Sequence, residues 1–162
     1  MTPQQSRSAA YTLALLVPAA LMGGALVSQY VFGLYPCEMC WWQRYPHIAA
    51  IVLAGLALAL RKSPLGDVLV RLAAIAIGIS GLIGAFHAGV EYHWWEGLTA
   101  CTRTASAGGD PLAAIMDAPV IRCDVAQWTL FGVSLAGFNF LISTVGAVAV
   151  FVLLGRGKTR IA

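Results

Sequence analysis

Charged side chains are scarce in this chain of 162 residues: seven acidic and ten basic residues together make up 10% of it. Soluble domains carry about 25% charged residues, so the sequence lacks the polar surface that a water-soluble fold needs. The shortage of charge also excludes a disordered tail, and it excludes a nucleic-acid binder, which needs a basic surface. Hydrophobic residues make up 59% of the chain, and the composition therefore predicts an integral membrane protein.

Four long hydrophobic runs divide the chain, at about residues 10–32, 41–60, 68–90 and 128–154. About 20 apolar residues cross the hydrocarbon core as a helix, and no run shows the alternation of a strand. We therefore predict an all-α fold, a bundle of four transmembrane helices that forms a single domain over residues 1–162. The first run exceeds the length of a signal-peptide core and lacks a small-residue cleavage site, so we expect it to be a retained span. Pro46 favours a second helix that begins near Tyr45, because proline is comfortable only in a first turn.

The basic residues are distributed unequally between the two sides of the predicted bundle. Seven lie on the side of the termini and three on the other: Arg7, Arg61, Lys62, Arg71, Arg156, Lys158 and Arg160 against Arg44, Arg103 and Arg122. The positive-inside rule then places both termini in the cytoplasm and two loops outside. All five Trp residues lie near the outer edge, as expected for an interfacial belt.

The second outer loop, about residues 91–127, is the longest connection. Within it, Asp110-Pro111 resembles an N-cap followed by proline at the first helical position. Leu112, Ile115 and Met116 then share one face, which predicts a short amphipathic helix on the membrane surface. A solvated turn of helix is the alternative.

All four cysteines lie outside the predicted spans, with Cys37 and Cys40 in the first outer loop and Cys101 and Cys123 in the second. The outer side of a bacterial inner membrane is oxidising, so two disulfides are expected there. A C-x-x-C closes too small a loop to stabilise a fold much, but one sulfur can lower the pKa of the other, so the spacing favours redox cycling. Structural disulfides and a metal site remain alternatives, although a zinc site usually has a second close pair. Trp41 follows the motif where a c-type haem needs His, which excludes that cofactor.

Two ionisable side chains accompany the C-x-x-C. Arg44 follows Cys40 by four residues and can stand on the same helix face, where a cation stabilises a thiolate. His87 lies late in the third span, at the depth of Cys40, and an ionisable group there is a functional candidate. The alternatives are an Arg that reaches the headgroups and a His bonded to a backbone carbonyl. His47 has a similar depth in the second span, and His93 lies just outside the third.

Pro36-Cys37-x-x-Cys40-x-x-x-Arg44 at the mouth of the second span, together with a separated cysteine pair in the second outer loop, resembles the disulfide bond formation protein B (DsbB) family. The resemblance covers nearly the whole chain. It implies a four-helix bundle in the bacterial inner membrane, with its active loops facing the periplasm. It also implies a bound quinone, ubiquinone in the first place or menaquinone, and a periplasmic thioredoxin-like thiol oxidase of the DsbA type as the partner. The lipid bilayer is then the other partner, and nucleic acid is not one.

The resemblance also implies a role for each cysteine. Cys37 and Cys40 would form the quinone-facing disulfide, and Cys101 and Cys123 the partner-facing disulfide. The reduced partner would attack Cys101 and form a mixed disulfide. Cys123 would then pair transiently with Cys37, which frees Cys40 as a thiolate beside the quinone.

In the same family pattern, Arg44 stabilises that thiolate and a quinone oxygen, while His87 matches the quinone-side histidine only approximately. We expect no metal site. The sequence thus predicts a quinone-dependent enzyme that generates protein disulfides. One rival is a haem b electron carrier that uses His47 and His87 as axial ligands, and the other is a membrane scaffold whose disulfides only brace its loops.

Overall fold

The computed structural model describes residues 1–98 and 121–158. Within these ranges the chain forms four helices and one small hairpin, in the order α1 (Pro3–Tyr30), α2 (Glu38–Ala59), α3 (Pro64–Glu91), β1 (Thr129–Leu130), β2 (Val133–Ser134) and α4 (Leu135–Lys158). The strands pair antiparallel, with Thr129 opposite Ser134 and Leu130 opposite Val133. The predicted helical bundle is confirmed, and the hairpin is an addition to the all-α prediction. Cys101 and the predicted surface helix near Asp110 lie outside the described residues.

In the part of the chain that the structure describes, α1, α3 and α4 are long and apolar enough to cross a membrane. The 22 residues of α2 carry Gln43, Arg44 and His47, all buried, in their first half. These polar side chains lower the hydropathy of α2, so its passage through the membrane stays a prediction. Their burial nevertheless shows that α2 turns its polar face towards the other helices.

Capping residues explain why three helices start earlier than predicted. Ser63 caps α3, which begins at Pro64 rather than near residue 68. Thr2 and Gln5 form a reciprocal capping box, so α1 begins at Pro3 rather than near residue 10. Cys37 caps α2, which therefore begins at Glu38. The expected start near Tyr45 is wrong, because Pro46 lies inside the helix. The cap supplies the start signal two turns upstream, and the proline costs α2 one backbone donor.

The last helix starts later than the hydrophobic run that predicted it. Residues 128–134 are mostly apolar, but Phe131 and Gly132 both adopt positive φ angles, 52° and 79°, and turn the chain into the hairpin. Helical structure therefore begins at Leu135 rather than near Trp128. Phe131, at the turn, is 94% exposed.

The helices pack through small side chains. α3 packs against α2 and α4, while α1 packs against α4 and α2. Most of the buried core is alanine, which lets helix backbones approach closely in a membrane protein: Ala10, Ala14, Ala50, Ala54, Ala57, Ala73, Ala74, Ala76 and Ala147. A second, smaller cluster holds Cys37, Met39, Val90 and Cys123. We call the end of the bundle that carries this cluster and the hairpin the mouth.

Polar contacts join α1 to α3 at the opposite end. The Nε of Arg7 donates to Asp67 Oδ1 at 2.8 Å, and the Tyr11 hydroxyl donates to the same oxygen at 2.9 Å. Arg7 also donates through Nη2 to the backbone oxygen of Arg61 at 2.7 Å. Hydrogen bonds from Arg7 and Tyr11 therefore hold α1 against α3 at the end of the bundle that carries the N-terminus.

Replacing Gly84 should destabilise the protein. A Cβ at this position of α3 would lie 2.9 Å from the Ala136 backbone oxygen and 3.0 Å from Asn139 Nδ2 on α4. Overpacking of this kind costs about 1–3 kcal/mol, so Gly84→Ala should lower the midpoint of thermal unfolding in detergent. The matched control is Gly78→Ala, whose Cβ would meet Ala147 Cβ at an ordinary 3.8 Å. Equal midpoints for the two variants would contradict the close approach of α3 and α4.

Candidate active site

The first two cysteines lie at the start of α2. Cys37 is the N-cap, and its sulfur accepts a hydrogen bond from the Cys40 backbone N–H at 3.3 Å. Both residues are present as thiols, and Cys37 Sγ donates to Cys40 Sγ across 2.9 Å. Cys37 is buried, whereas Cys40, one helical turn later, is partly exposed. The cap geometry therefore places the two sulfurs in contact and leaves Cys40 as the more accessible one.

Cys123 reaches the same place from the segment that precedes the hairpin. It is fully buried and packs with Cys37 in the mouth cluster. Its hydrogen bond with Cys37, then the hydrogen bond that Cys37 donates to Cys40, and then burial raise the pKa of the Cys37 thiol. Three of the four predicted catalytic cysteines thus meet, and Cys37, which lies between the other two, is the one that holds its proton.

His87 on α3 closes the cluster. Its Nε2 lies 3.6 Å from Cys37 Sγ and 3.2 Å from the Cys123 backbone oxygen, and its Nδ1 lies 2.8 Å from Gln43 Nε2. Gln43 Nε2 also donates to the Met39 carbonyl, which identifies it as the amide nitrogen and makes His87 Nδ1 an acceptor. The proton of the neutral ring is then on Nε2, directed at Cys37 and the Cys123 carbonyl.

Arg44 is buried rather than directed at the headgroups. Only 7% of it is exposed. Its Nη1 donates to Gln29 Oε1 at 2.7 Å, its Nη2 donates to the Ala25 carbonyl at 3.3 Å, and its guanidinium lies 5.0 Å from the Trp41 ring centre. These contacts hold Arg44 against α1, so the alternative of an Arg that reaches the headgroups does not describe this side chain.

A cavity of about 240 Å³ lies between the helices below the mouth. Four of the predicted site residues line this cavity: Cys37, Cys40, Arg44 and His87. The rest of the lining is mostly apolar, as in cofactor sites generally; it includes Ala20, Leu21, Met22, Leu34, Val125, Leu135 and Phe138. The arrangement suits a mostly apolar molecule that makes a few polar contacts.

Sequence reasoning singled out His47 but missed Gln43 and Asn139, which line one side of this cavity with it. Gln43, His47, Ser80, Asn139 and Ser143 form a continuous buried hydrogen-bond network across α2, α3 and α4. Gln43 and Asn139 interrupt apolar runs, and a polar residue inside a span is itself a functional signal. That signal was present in the sequence, but the partners of each side chain were not.

The structure also bears on the metal and haem alternatives. Ligand atoms of Cys37, Cys40 and His87 lie within 4.8 Å of one another, close enough for a metal ion, although no metal site is expected from the sequence. A haem b site needs a nitrogen of both His47 and His87 for iron. Both nitrogens of His87 already contact protein groups, which disfavours that rival.

Comparisons with known proteins match nearly the whole chain to one family. The family model "Disulfide bond formation protein DsbB" matches residues 6–153. Disulfide bond formation protein B of Acidovorax sp. (strain JS42) is 31% identical over 158 residues, covering 90% of this chain and 87% of the relative. The protein of the same name from Verminephrobacter eiseniae (strain EF01-2) is 30% identical over 153 residues, covering 88% and 82%. No solved structure gives a significant match.

The two thiols of the motif should react at different rates. In protein reduced with a phosphine, iodoacetamide at neutral pH should label Cys40 at least about tenfold faster than Cys37, because Cys37 is buried and its raised pKa keeps it protonated. Quenched time points analysed by peptide mass spectrometry give both rates in one sample. Faster labelling of Cys37 would show that the proton is on the other sulfur.

Proposed function

This chain belongs to the DsbB family of disulfide-forming membrane oxidoreductases, and from that premise we propose that it reoxidises a periplasmic thioredoxin-like thiol oxidase of the DsbA type and passes the electrons to a membrane quinone. One observation carries the proposal: Cys37 and Cys40 line an apolar cavity between the helices, while Cys123 packs against Cys37. A thiol pair in this position can exchange with a protein disulfide on one side and with a lipid-soluble oxidant on the other.

The exchange steps follow from the order of the sulfurs. A reduced partner would attack the Cys101–Cys123 disulfide at Cys101, and the mixed disulfide would release Cys123. Cys123 would attack Cys37, which it already contacts, so the Cys37–Cys40 disulfide opens and Cys40 leaves as a thiolate. The second partner thiol would then close the partner disulfide and release Cys101, and Cys101 would attack the Cys123–Cys37 disulfide at Cys123, which re-forms Cys101–Cys123 and releases Cys37. Two electrons and two protons would then have moved from the partner dithiol to Cys37 and Cys40.

The cavity residues fit a quinone. The Cys37–Cys40 dithiol would be reoxidised by a quinone held there, which would accept its two electrons and two protons. Arg44 is buried in the cavity wall and offers guanidinium donors to a carbonyl oxygen. Cys40 faces the cavity, and His87 keeps an N–H directed at Cys37. We propose ubiquinone as the first choice and menaquinone as the alternative.

The proposed location is the bacterial inner membrane, with the mouth facing the periplasm. The basic residues Arg7, Arg61, Lys62 and Arg71 lie at the end of the bundle opposite to the mouth, which the positive-inside rule assigns to the cytoplasm. The cysteines at the mouth then face the oxidising compartment, where disulfides persist.

A reconstituted assay tests the proposal. Purified protein in nanodiscs, short-chain ubiquinone and a reduced DsbA-type oxidase should yield quinol, followed by its absorbance. Cys40→Ser should abolish quinol formation, because the quinone-facing disulfide cannot form without the second sulfur. Cys101→Ser is the matched control: it should abolish turnover with the partner protein but keep quinone reduction by dithiothreitol. Normal turnover by Cys40→Ser, or no quinol with the wild type, would refute the proposed function.

Arg44→Ala should slow quinone reduction about 10²-fold, the lower end of the effect of removing a donor from a site where negative charge develops. Arg44→Lys should lie between the wild type and Arg44→Ala, because Lys keeps the charge but loses the planar fork. Single-turnover exchange between the partner and the Cys101–Cys123 disulfide should be unchanged in both. If Arg44→Ala slows both steps equally, or neither, Arg44 is only an anchor to α1.

A further inference from the structure

We propose that His47 binds a hydroxyl of the reduced quinone, so that the cavity holds quinol more tightly than quinone. This inference rests on the proposed function, because it takes the quinone as the occupant of the cavity. His47 lies on α2, lines the cavity together with Arg44, and is 4% exposed. No part of the exchange steps described above uses it.

The orientation of Asn139 fixes the chemistry of His47. Asn139 Nδ2 lies 3.1 Å from the Ser80 backbone oxygen, which can only accept, so this atom of the amide must be the nitrogen. The amide oxygen, Oδ1, then faces His47 Nε2 at 2.9 Å. Ser80 Oγ, also 2.9 Å from His47 Nε2, already donates its proton to the Gln43 carbonyl at 2.8 Å. Both neighbours of His47 Nε2 are therefore acceptors.

The neutral imidazole must consequently carry its proton on Nε2, and Nδ1 is a lone-pair acceptor. Among the described residues, Nδ1 of His47 is one of two buried side-chain atoms without a hydrogen-bond partner; the other is Glu91 Oε2. Buried polar atoms are nearly always paired, so an acceptor of fixed tautomer beside a cavity calls for a donor from a ligand.

Helix geometry places this acceptor beside the proposed quinone contact. Arg44 and His47 are three residues apart on α2, about 4.5 Å along the axis, and both line the cavity. Cys40 is a further turn towards the mouth. Along α2, the residues that line the cavity thus carry, in order, a sulfur, a set of donors and an acceptor.

Arg44 and His47 differ in which redox form of the quinone they can bind through a hydrogen bond. Arg44 only donates, so it can bind a carbonyl oxygen or a hydroxyl oxygen. Neutral His47 can only accept at Nδ1, so it gains a hydrogen bond from a hydroxyl and none from a carbonyl. A quinone has two carbonyl oxygens, whereas a quinol has two hydroxyls. A site with higher affinity for the reduced form shifts the bound couple towards quinol by that difference in affinity, and so favours oxidation of the dithiol.

His47→Gln isolates the acceptor. The Gln amide nitrogen occupies the place of imidazole Nε2 and can still donate to Asn139, but no atom replaces Nδ1. Binding of duroquinone and of duroquinol to protein in nanodiscs can be followed, without oxygen, by quenching of Trp fluorescence, since Trp128 lines the cavity. We expect His47→Gln to weaken duroquinol binding about five- to tenfold and to leave duroquinone binding within about twofold. His93→Asn is the control, because His93 is exposed at a positive φ that Asn tolerates, and it should change neither affinity.

The outcomes separate the two proposals. Selective loss of quinol affinity supports the role of His47. Equal loss for both ligands, or no loss, overturns that role while the quinone site stands. Failure of the wild type to bind either ligand overturns the quinone site and the inference with it.

A second measurement uses the wild-type protein and does not depend on the folding of a variant. The monomethyl ether of duroquinol keeps one hydroxyl for His47, and its ether oxygen can still accept from Arg44. The dimethyl ether has no hydroxyl. The monomethyl ether should bind more tightly than the dimethyl ether, and the difference should vanish in His47→Gln; equal binding of both ethers to the wild type would overturn the inference.

Discussion

The hydrogen bond from the Cys40 N–H to the Cys37 sulfur determines much of the rest of the site. It caps α2, so the helix begins at Glu38 instead of a full two turns later. Once that start is set, helical periodicity places Cys40, Arg44 and His47 in succession along the cavity wall. The same bond holds the two sulfurs of the C-x-x-C in contact. Cys37 is therefore both the helix cap and one sulfur of the thiol pair. This double role explains how so short a motif positions the α2 residues that line the cavity.

Close approach of α3 and α4 is the second requirement. Gly84 leaves no room for a Cβ against the α4 backbone, and Gly81 would place one 3.1 Å from Ser143 Cβ. This spacing brings the Asn139 amide within reach of Ser80 on α3 and of Gln43 on α2. Buried polar groups in a low-dielectric interior are costly unless they are paired, so the network depends on the small residues that let the helices meet.

The sequence was sufficient for the class of fold, and it singled out most of the residues that the structure brings together beside the cavity. Long apolar runs predict spans because the bilayer sets their length, and the C-x-x-C with Arg44 four residues later predicts a reactive site because the helix repeat brings them to one face. Local signals misled at Pro46, since a cap two turns upstream outweighed the preference of proline for a first turn. They also misled at Trp128, since composition does not reveal the positive φ angles of Phe131 and Gly132. The links between Gln43, His87 and Asn139 join residues up to 96 positions apart, and no local pattern encodes such pairs.

The alanine-rich core below the cavity has a consequence for energy transduction. Between the cavity and the terminal end tied by Arg7 and Asp67, the described helices are packed with apolar side chains. The thiols, the cavity and the polar network all lie between this apolar core and the mouth. In the proposed reaction, protons released by the dithiol and protons taken up by the quinone would then belong to the same side of the membrane. No net charge would cross the bilayer, so the membrane potential would neither drive nor oppose disulfide formation.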